Sequence, residues 1–235
     1  MHILSSNHIK ISMLISSRPI GIIDSGIGGL TLCSAIHKKY PQEDIIYVAD
    51  DQFMPYGNKS KNQILDRLIN ITDNLIENYN IKILILACNT ATLTGIRELK
   101  IKYKIPIIGV HPEREDGFII CTKLSAKQIT KNKLYVKNLA SKIEQDFFNS
   151  DKLEKYINKV IKKYNLSEQS RIVLGCTHYE LIKKIFEKYL PKTQFLCPSN
   201  QTLIELDQIY TKYFFDAQKR YLGQIFIIAT SGSKA

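Results

Sequence analysis

Short apolar runs alternate with amphipathic stretches through the first half of the chain. The runs are residues 19–24, 44–49, 82–87 and 105–110. Between them, at residues 30–39, 64–76 and 90–103, apolar residues recur every three to four positions, and this spacing predicts helices. Strands that are apolar throughout and alternate with helices are typical of a parallel sheet covered on both faces. The pattern therefore predicts an α/β fold.

After Pro112 the alternation of apolar runs and amphipathic stretches continues less regularly. Strands are predicted at residues 118–121, 171–175, 194–197 and 225–229, and helical sequence at residues 125–164, 179–189 and 202–222. We predict two α/β lobes with mainly parallel sheets. The first lobe spans residues 19–111 and is completed by residues 198–235, and the second spans residues 112–197. Residues 1–18 carry little pattern and are predicted to be an N-terminal extension.

The composition is that of a globular protein. The chain has 235 residues, of which 44% are hydrophobic and 23% are charged, and these values exclude a disordered or collagen-like chain. No apolar run reaches the roughly 18 residues that cross a bilayer, and no clear signal peptide precedes the first lobe. We therefore expect a cytoplasmic protein without membrane association.

The net charge of +11 raises the question of a nucleic-acid partner. Residues 123–163 contain eleven lysines, four acidic residues and no arginine. Phosphate and base recognition favours the planar fork of arginine, which this stretch lacks. The sequence therefore favours a solvated lysine face over a surface that binds nucleic acid.

Polar residues follow several predicted strands. They are Asp24-Ser25, Asp50-Asp51, Cys88-Asn89-Thr90 and His111-Pro112. Functional residues of parallel α/β sheets lie just beyond the carboxyl ends of the strands. These positions are therefore the first candidates for a site.

Two of the five cysteines stand in matching contexts. Cys88 and Cys176 each follow a buried strand and precede a predicted helix, 88 residues apart. A helix N-terminus lowers the pKa of a thiol, so we expect two reactive thiols in a pseudo-symmetric cleft between the lobes. The other cysteines (Cys33, Cys121 and Cys197) lack such polar neighbours and are predicted to be core residues. The sequence contains no CxxC pair, so it lacks the zinc-binding and redox motifs built on such pairs.

Paired thiols suit one reaction better than its alternatives. A structural disulfide is unusual in the cytoplasm, and a cysteine hydrolase needs only one thiol with a base. Inversion of a carbon stereocentre needs a base on one face and an acid on the other. A thiolate and a thiol meet this need, because the reaction simply exchanges their states.

Four motifs, in order along the chain, carry a family resemblance. They are Asp24-Ser25-Gly26, Pro55-Tyr56-Gly57, Cys88-Asn89-Thr90-Ala91 and Gly175-Cys176-Thr177-His178-Tyr179. Together they resemble the signature segments of glutamate racemase, the cofactor-independent enzyme that makes D-glutamate for bacterial peptidoglycan. The resemblance runs from about Ile20 to Thr202. It implies an isomerase that takes glutamate as its small-molecule substrate and needs neither a metal nor an organic cofactor, and it leaves a homodimer open.

The resemblance also implies roles for individual residues. Cys88 and Cys176 are the acid/base thiols, with Cys176 facing the α-proton of L-glutamate and Cys88 that of D-glutamate. Asp24 and His178 assist proton transfer, and Glu144 supports the Cys176 side. The implied substrate-binding residues are Asp24, Ser25, Pro55, Tyr56, Gly57, Cys88, Asn89, Thr90, Thr122, Ser125, Cys176, Thr177 and His178.

The second lobe departs from the family pattern. The spans from His111 to Thr122 and from Thr122 to Glu144 are short, and Leu124-Ser125 replaces an expected Gly-Thr. Two alternatives therefore stay open. One is a related aspartate racemase or maleate-isomerase-like enzyme, and the other is a degenerate homologue that binds a ligand or a macromolecule without catalysis.

Overall fold

Strands and helices alternate along the chain. A computed structural model describes residues 17–130, 132–213 and 222–232. Its strands are β1 (Ile20–Asp24), β2 (Ile45–Ala49), β3 (Ile83–Leu86), β4 (Ile107–Gly109), β5 (Phe118–Cys121), β6 (Lys133–Tyr135), β7 (Arg171–Gly175), β8 (Gln194–Leu196) and β9 (Ile225–Ala229). Its helices are α1 (Leu30–Lys39), α2 (Lys61–Tyr79), α3 (Asn89–Lys102), α4 (Lys123–Gln128), α5 (Leu139–Asp146), α6 (Ser150–Lys163), α7 (Thr177–Leu181), α8 (Lys183–Tyr189) and α9 (Ser199–Tyr213).

The first sheet has the strand order β4-β3-β1-β2-β9, and all of its strand pairs are parallel. Every residue of β1, β2 and β3 is buried. Separate apolar clusters cover the two faces of the sheet. This arrangement confirms the α/β fold that the continuous apolar runs predict.

The second sheet has the order β6-β5-β7-β8 and is also parallel. Its largest apolar cluster packs residues of α5 and α6, such as Ile143 and Ile157, against Ile120 of β5 and Leu174 of β7. The chain passes from the first sheet to the second after β4 and leads back after β8 through α9 to β9. The structure therefore has two lobes, and each is a parallel sheet flanked by helices.

Local sequence explains the bounds of the longest helix. Ser60 caps the start of α2, because its side chain accepts a hydrogen bond from the backbone N–H of Gln63 and the Gln63 side chain bonds back. Asn80 ends the helix in the left-handed conformation, with φ of 53°. The apolar positions of the predicted stripe, including Ile64 and Leu68, are buried between these ends.

The prediction of helical sequence throughout residues 125–164 is wrong in two places, between Gln128 and Leu139 and between Asp146 and Ser150. Lys133–Tyr135 forms β6, which pairs with β5 at the edge of the second sheet. The segment is short and half polar, so its local pattern does not separate a strand from a helix. Pairing with β5 provides the backbone hydrogen bonds that decide its conformation.

Two further predicted helices differ from the structure. The one at residues 179–189 is interrupted at Ile182, where α7 ends and α8 begins. Helix α9 begins at Ser199, and Leu222 is not helical, while residues 214–221 of that predicted helix lie outside the described residues. The predicted N-terminal extension also lies outside them, apart from its last two residues. Within the part of the chain that the structure describes, no helix is long and apolar enough to span a membrane.

A buried ion pair stabilises the amino-terminal end of the first sheet. Lys82 immediately precedes β3, and its Nζ lies 2.5 Å from Oε2 of Glu43, with at most 1% of either side chain exposed. Removal of one partner from such a pair leaves an uncompensated buried charge. The pair is therefore a strong determinant of stability at this end of the sheet.

We expect Lys82→Met to lower the free energy of unfolding by about 3–5 kcal/mol, because Glu43 then stays buried without its cation. Urea denaturation would measure the change. Lys102→Met is the matched control, since Lys102 pairs with Asp73 at 3.0 Å on an exposed surface and its loss should leave stability nearly unchanged. Equal losses in the two variants would contradict the prediction.

Candidate active site

Cys88 and Cys176 occupy equivalent positions in the two lobes. Cys88 lies between β3 and α3, and Cys176 lies between β7 and α7. Both are nearly buried, with 5% and 6% of their surfaces exposed. Their side chains line the same cavity, which has a volume of about 40 Å³. The structure thus brings together the two cysteines that the sequence singles out.

Both lobes contribute walls to this cavity. The first lobe contributes Ser25, Met54, Pro55, Tyr56, Gly57, Asn58, Cys88 and Thr90, and the second contributes Thr122, Lys123, Tyr135, Val136, Asn138, Leu139, Ala140, Ser141, Cys176, His178 and Tyr179. Most of these residues follow the carboxyl ends of β1, β2, β3, β5, β6 and β7. This is where ligand sites form in parallel α/β sheets.

Nine residues predicted for the site line the cavity. They are Ser25, Pro55, Tyr56, Gly57, Cys88, Thr90, Thr122, Cys176 and His178. Five others (Asp24, Asn89, Ser125, Thr177 and Glu144) do not line it. Four of these five are hydrogen-bonded within the same cluster, as described next.

Asp24 connects the two lobes through its carboxylate. It ends β1 and is completely buried. Its Oδ1 accepts the backbone N–H of Gly26 at 2.9 Å, and its Oδ2 accepts the hydroxyl of Thr177 from the second lobe at 3.1 Å. Burial raises the pKa of Asp24, an effect that His178 and these hydrogen bonds partly oppose.

His178 lies between Cys176 and Glu144. Its Nδ1 is 3.8 Å from Sγ of Cys176, and its Nε2 is hydrogen-bonded to the carboxylate of Glu144. Glu144 also accepts the backbone N–H of Ile27 at 3.3 Å, so it joins the lobes. Burial by itself lowers the pKa of His178, but hydrogen bonds to Cys176 and Glu144 raise it well above its ordinary value. These hydrogen bonds therefore favour the protonated imidazole.

Three hydroxyl groups meet across the lobe boundary. Oγ1 of Thr90 is 3.0 Å from Oγ1 of Thr122 and 3.2 Å from Oγ of Ser125. The Thr122 and Ser125 hydroxyls are 3.0 Å apart. Ser125 thus places a hydroxyl where the family pattern has its second threonine. Hydroxyls both donate and accept, so this cluster can reorient to bind a carboxylate or an ammonium group.

The expected lowering of the Cys88 pKa does not occur. Burial, followed by the charges of Asp24 and Cys176, raises the pKa of this thiol to about 12. Hydrogen bonds from the backbone of Ala91 and with Ser25, whose Oγ is 3.6 Å from Sγ, act in the opposite direction but are weaker. The helix N-terminus is therefore outweighed by loss of water and by nearby negative charge.

Asn89 has an unsatisfied side chain. Only 1% of this residue is exposed, and neither its Nδ2 nor its Oδ1 has a hydrogen-bond partner among the described residues. A buried amide in this condition costs about 1–3 kcal/mol. Asn89 begins α3 directly after Cys88, so a bound polar ligand is a natural partner for its amide.

The remaining strand-end candidates lie outside the cavity wall. Asp50 is buried and bonds to Tyr56, which does line the cavity. His111 bonds instead to Glu113, with its Nδ1 2.7 Å from Oε1. A position at a strand end therefore does not by itself distinguish residues that line the cavity from residues that lie outside it.

Sequence reasoning missed ten wall residues, most of them in the second lobe. They are Met54, Asn58, Lys123, Tyr135, Val136, Asn138, Leu139, Ala140, Ser141 and Tyr179. Six of them lie within residues 135–141, in the stretch that the sequence predicts as continuous helix. The sequence signal available for a break there was Asn138, because asparagine is common in turns and adopts a positive φ, here 59°.

Among the described residues, no group of three or more His, Cys, Asp or Glu side chains is placed to hold a metal ion.

Known proteins resemble this chain in sequence and in fold. A glutamate racemase of Clostridium acetobutylicum is 32% identical, over 86% of this chain and 87% of the relative. A glutamate racemase of Bacillus anthracis superposes with a TM-score of 0.80 at 23% identity, over 92% of this chain and 89% of that one. A glutamate racemase of Francisella tularensis, solved with D-glutamate, superposes with a TM-score of 0.77 at 25% identity, over 92% and 89% of the two chains. No protein-family model matches the chain.

We expect the raised pKa of Cys88 to control its alkylation. Because the thiolate is the reactive form, labelling by iodoacetamide should rise about tenfold per pH unit from pH 7 to pH 10, whereas an ordinary thiol levels off near pH 9. Mass spectrometry of the peptide that contains Cys88 would measure the rate. Cys33, which is buried and does not line the cavity, is the control and should stay unlabelled in the folded protein. A Cys88 rate that levels off at or below about pH 9 would show that its pKa is not raised.

Proposed function

The chain belongs to the glutamate racemase family, and on that premise we propose that it interconverts L- and D-glutamate by moving the α-proton between Cys88 and Cys176. One observation carries the proposal: the two thiols come from equivalent strand–helix junctions of different lobes and line a single cavity. A substrate in this cavity lies between them. Such an arrangement gives each face of its α-carbon a separate acid/base group.

The proposed reaction needs only these two groups to exchange protons with the substrate. A thiolate on one face takes the α-proton and becomes a thiol, and the electron pair of the C–H bond stays on the α-carbon and its carboxylate. The thiol on the other face donates its proton to that carbon and becomes a thiolate. The product has inverted configuration, and the two sulfurs have exchanged states. The return reaction restores them.

The substrate itself helps to form the base. Burial and the charge of Asp24 raise the pKa of Cys88 to about 12, so its thiolate is scarce without a compensating cation. Glutamate has an α-ammonium group next to the carbon that reacts. Placed beside Cys88, this cation favours the thiolate by direct attraction. Binding and activation of the base are thus coupled.

Three ionisable groups support the thiols in this proposal. His178 lies 3.8 Å from Cys176, and its hydrogen bond to Glu144 favours the protonated imidazole. It can therefore pass a proton to Cys176 and take it back. Asp24 is the corresponding buried group near Cys88, although its carboxylate bonds to Gly26 and Thr177 rather than to sulfur. Its role there is electrostatic. It attracts the ammonium group of the substrate.

Polar groups in and next to the walls match the remainder of glutamate. The hydroxyls of Thr90 and Thr122 line the cavity, and Ser125 is hydrogen-bonded to both. These hydroxyls, with the unsatisfied amide of Asn89 between Cys88 and Thr90 in the sequence, can bind its carboxylates. The D-glutamate bound to the Francisella tularensis relative supports this substrate class.

We propose residues 19–111 with 198–235 as one lobe of the enzyme and residues 112–197 as the other. We also propose that the D-glutamate supports peptidoglycan synthesis in the cytoplasm, while a homodimer stays a prediction.

Cys88→Ser and Cys176→Ser should each lower racemisation by several orders of magnitude, because a serine hydroxyl is a far weaker base than a thiolate at neutral pH. Each variant should still release chloride from one enantiomer of 3-chloroglutamate, where removal of the α-proton expels the leaving group. Cys88→Ser should act on the L form and Cys176→Ser on the D form. Chloride release is measured for each pure enantiomer.

The control for these variants is Cys33→Ser, which changes a buried cysteine outside the cavity and should leave racemisation unchanged. The two-thiol assignment is wrong if Cys88→Ser keeps full racemisation. It is equally wrong if both cavity variants lose reaction with the same enantiomer.

The wild-type protein should interconvert the glutamate enantiomers without added cofactor, with deuterium from D₂O entering at the α-carbon. Circular dichroism follows the change of configuration, and NMR follows the deuterium. Aspartate, which is one methylene shorter, tests the related aspartate enzyme in the same assays. Faster exchange with aspartate would favour that alternative, and folded protein that exchanges neither substrate would favour a non-catalytic homologue.

A further inference from the structure

The wall of the cavity formed by residues 54–58 has little regular structure of its own. All five residues line the cavity, and only Tyr56–Asn58 forms a short 3-10 turn. Gly57 approaches the second lobe so closely that an added Cβ would lie 2.9 Å from Cβ of Thr122. A small displacement of this segment would therefore change the shape of the cavity. Some contact outside it must hold it in place.

The phenol of Tyr56 supplies that contact. The side chain is 1% exposed, and its hydroxyl donates to Oδ2 of Asp50 at 2.7 Å. Asp50 follows β2 and is fully buried. Its Oδ1 also accepts the hydroxyl of Thr230, just after β9, at 2.8 Å. The segment is thus attached to the carboxyl end of the first sheet through one carboxylate.

Arg67 of α2 balances the charge of that carboxylate. Its Nε donates to Oδ2 of Asp50 at 2.9 Å, and its Nη2 donates to Oδ1 at 2.6 Å. The guanidinium is partly exposed and does not line the cavity of the two thiols. Its planar fork fixes both carboxylate oxygens at once, which a lysine ammonium cannot do. Arg67 therefore determines where Asp50 presents its oxygen to Tyr56.

We infer that Arg67 is a positioning residue for substrate binding, which acts through Asp50 and Tyr56 to hold residues 54–58 as a wall of the cavity. The inference rests on the proposed function for its effect on glutamate, but the placement of the wall can be measured without substrate. Among the described residues, Arg67 is hydrogen-bonded to Asp50 and not to Cys88, Cys176, Ser25 or His178. Its loss should therefore weaken binding and leave proton transfer largely intact.

The kinetic consequence has a definite sign. Loss of binding contacts that are equal in the ground state and the transition state raises KM with little change in kcat. In Arg67→Gln, we expect KM for both enantiomers to rise about tenfold or more while kcat changes less than about threefold. Arg67→Lys keeps the charge without the fork and should recover part of the loss. A purely structural residue would lower the active fraction, and hence kcat, without this split.

Hydrogen exchange and kinetics together test the inference. Exchange is followed by mass spectrometry on peptides that cover residues 54–58 and, for comparison, residues 88–92. Arg67→Gln and Tyr56→Phe should each speed exchange in the first peptide and leave the second unchanged. The double variant should raise KM no more than the stronger single variant, because the two residues act in series. Additive effects on KM would overturn the inference.

Two further variants keep the result interpretable. Arg171→Gln breaks an Arg–Asp pair of similar length at the amino end of β7 and should change neither exchange at residues 54–58 nor KM. Thr230→Val removes one donor from Asp50 without removing the cation, so it replaces Arg67→Gln if that variant fails to fold, with a smaller change in the same direction.

The outcomes separate this inference from the proposed function. If the wild-type protein neither exchanges the α-proton of glutamate nor binds glutamate, the proposed racemase function is wrong. Amide hydrogen exchange at residues 54–58 then still tests whether Arg67 positions this segment. Unchanged exchange there in Arg67→Gln overturns the inference even if glutamate is racemised. Faster exchange with an unchanged KM overturns its role in substrate binding.

Discussion

The buried carboxylate of Asp24 is the constraint on which the arrangement of the cavity depends. A carboxylate without exposed surface must have its oxygens hydrogen-bonded, because an unpaired buried charge is strongly destabilising. One oxygen is bonded within its own turn by Gly26, and the other is bonded by Thr177 of the second lobe. Thr177 directly follows Cys176. The requirement to satisfy Asp24 therefore also places the second thiol relative to the first lobe.

Glu144 makes a second contact between the lobes, from the second lobe to the first. Glu144 of the second lobe accepts the backbone N–H of Ile27 in the first lobe and holds His178 beside Cys176. Together, Asp24 and Glu144 place a negative charge from each lobe near the cavity. Burial, with the charge of Asp24 as a second cause, raises the pKa of Cys88. The α-ammonium group of an amino acid would find a favourable partner in the Asp24 carboxylate, which agrees with the proposed substrate class.

The departures of the second lobe from the family pattern leave its polar chemistry in place. Ser125 lacks the methyl group of a threonine but keeps the hydroxyl that meets Thr90 and Thr122. The connection from β4 to β5 contains only a short turn at Pro112–Arg114, yet β5 still pairs with β7 and presents Thr122 at the cavity. The shortened connection is compatible with the site because Thr122 and Cys176 directly follow β5 and β7, which still pair.

The amino-acid sequence by itself determined the α/β class, the apolar strands and the two cysteine junctions, since continuous apolar runs and strand-end polar residues are local signals. It also identified the motif residues that line the cavity, such as Ser25, Thr90 and Thr122, through their family resemblance. Tertiary structure decided what depends on partners distant in the chain. Lys133–Tyr135 became a strand because β5 offered it backbone hydrogen bonds. The pKa of Cys88 rose because burial and Asp24, 64 positions earlier, outweighed the helix N-terminus. The link from Arg67 through Asp50 to Tyr56 arose because folding brings a helix, a strand end and a loop to one carboxylate.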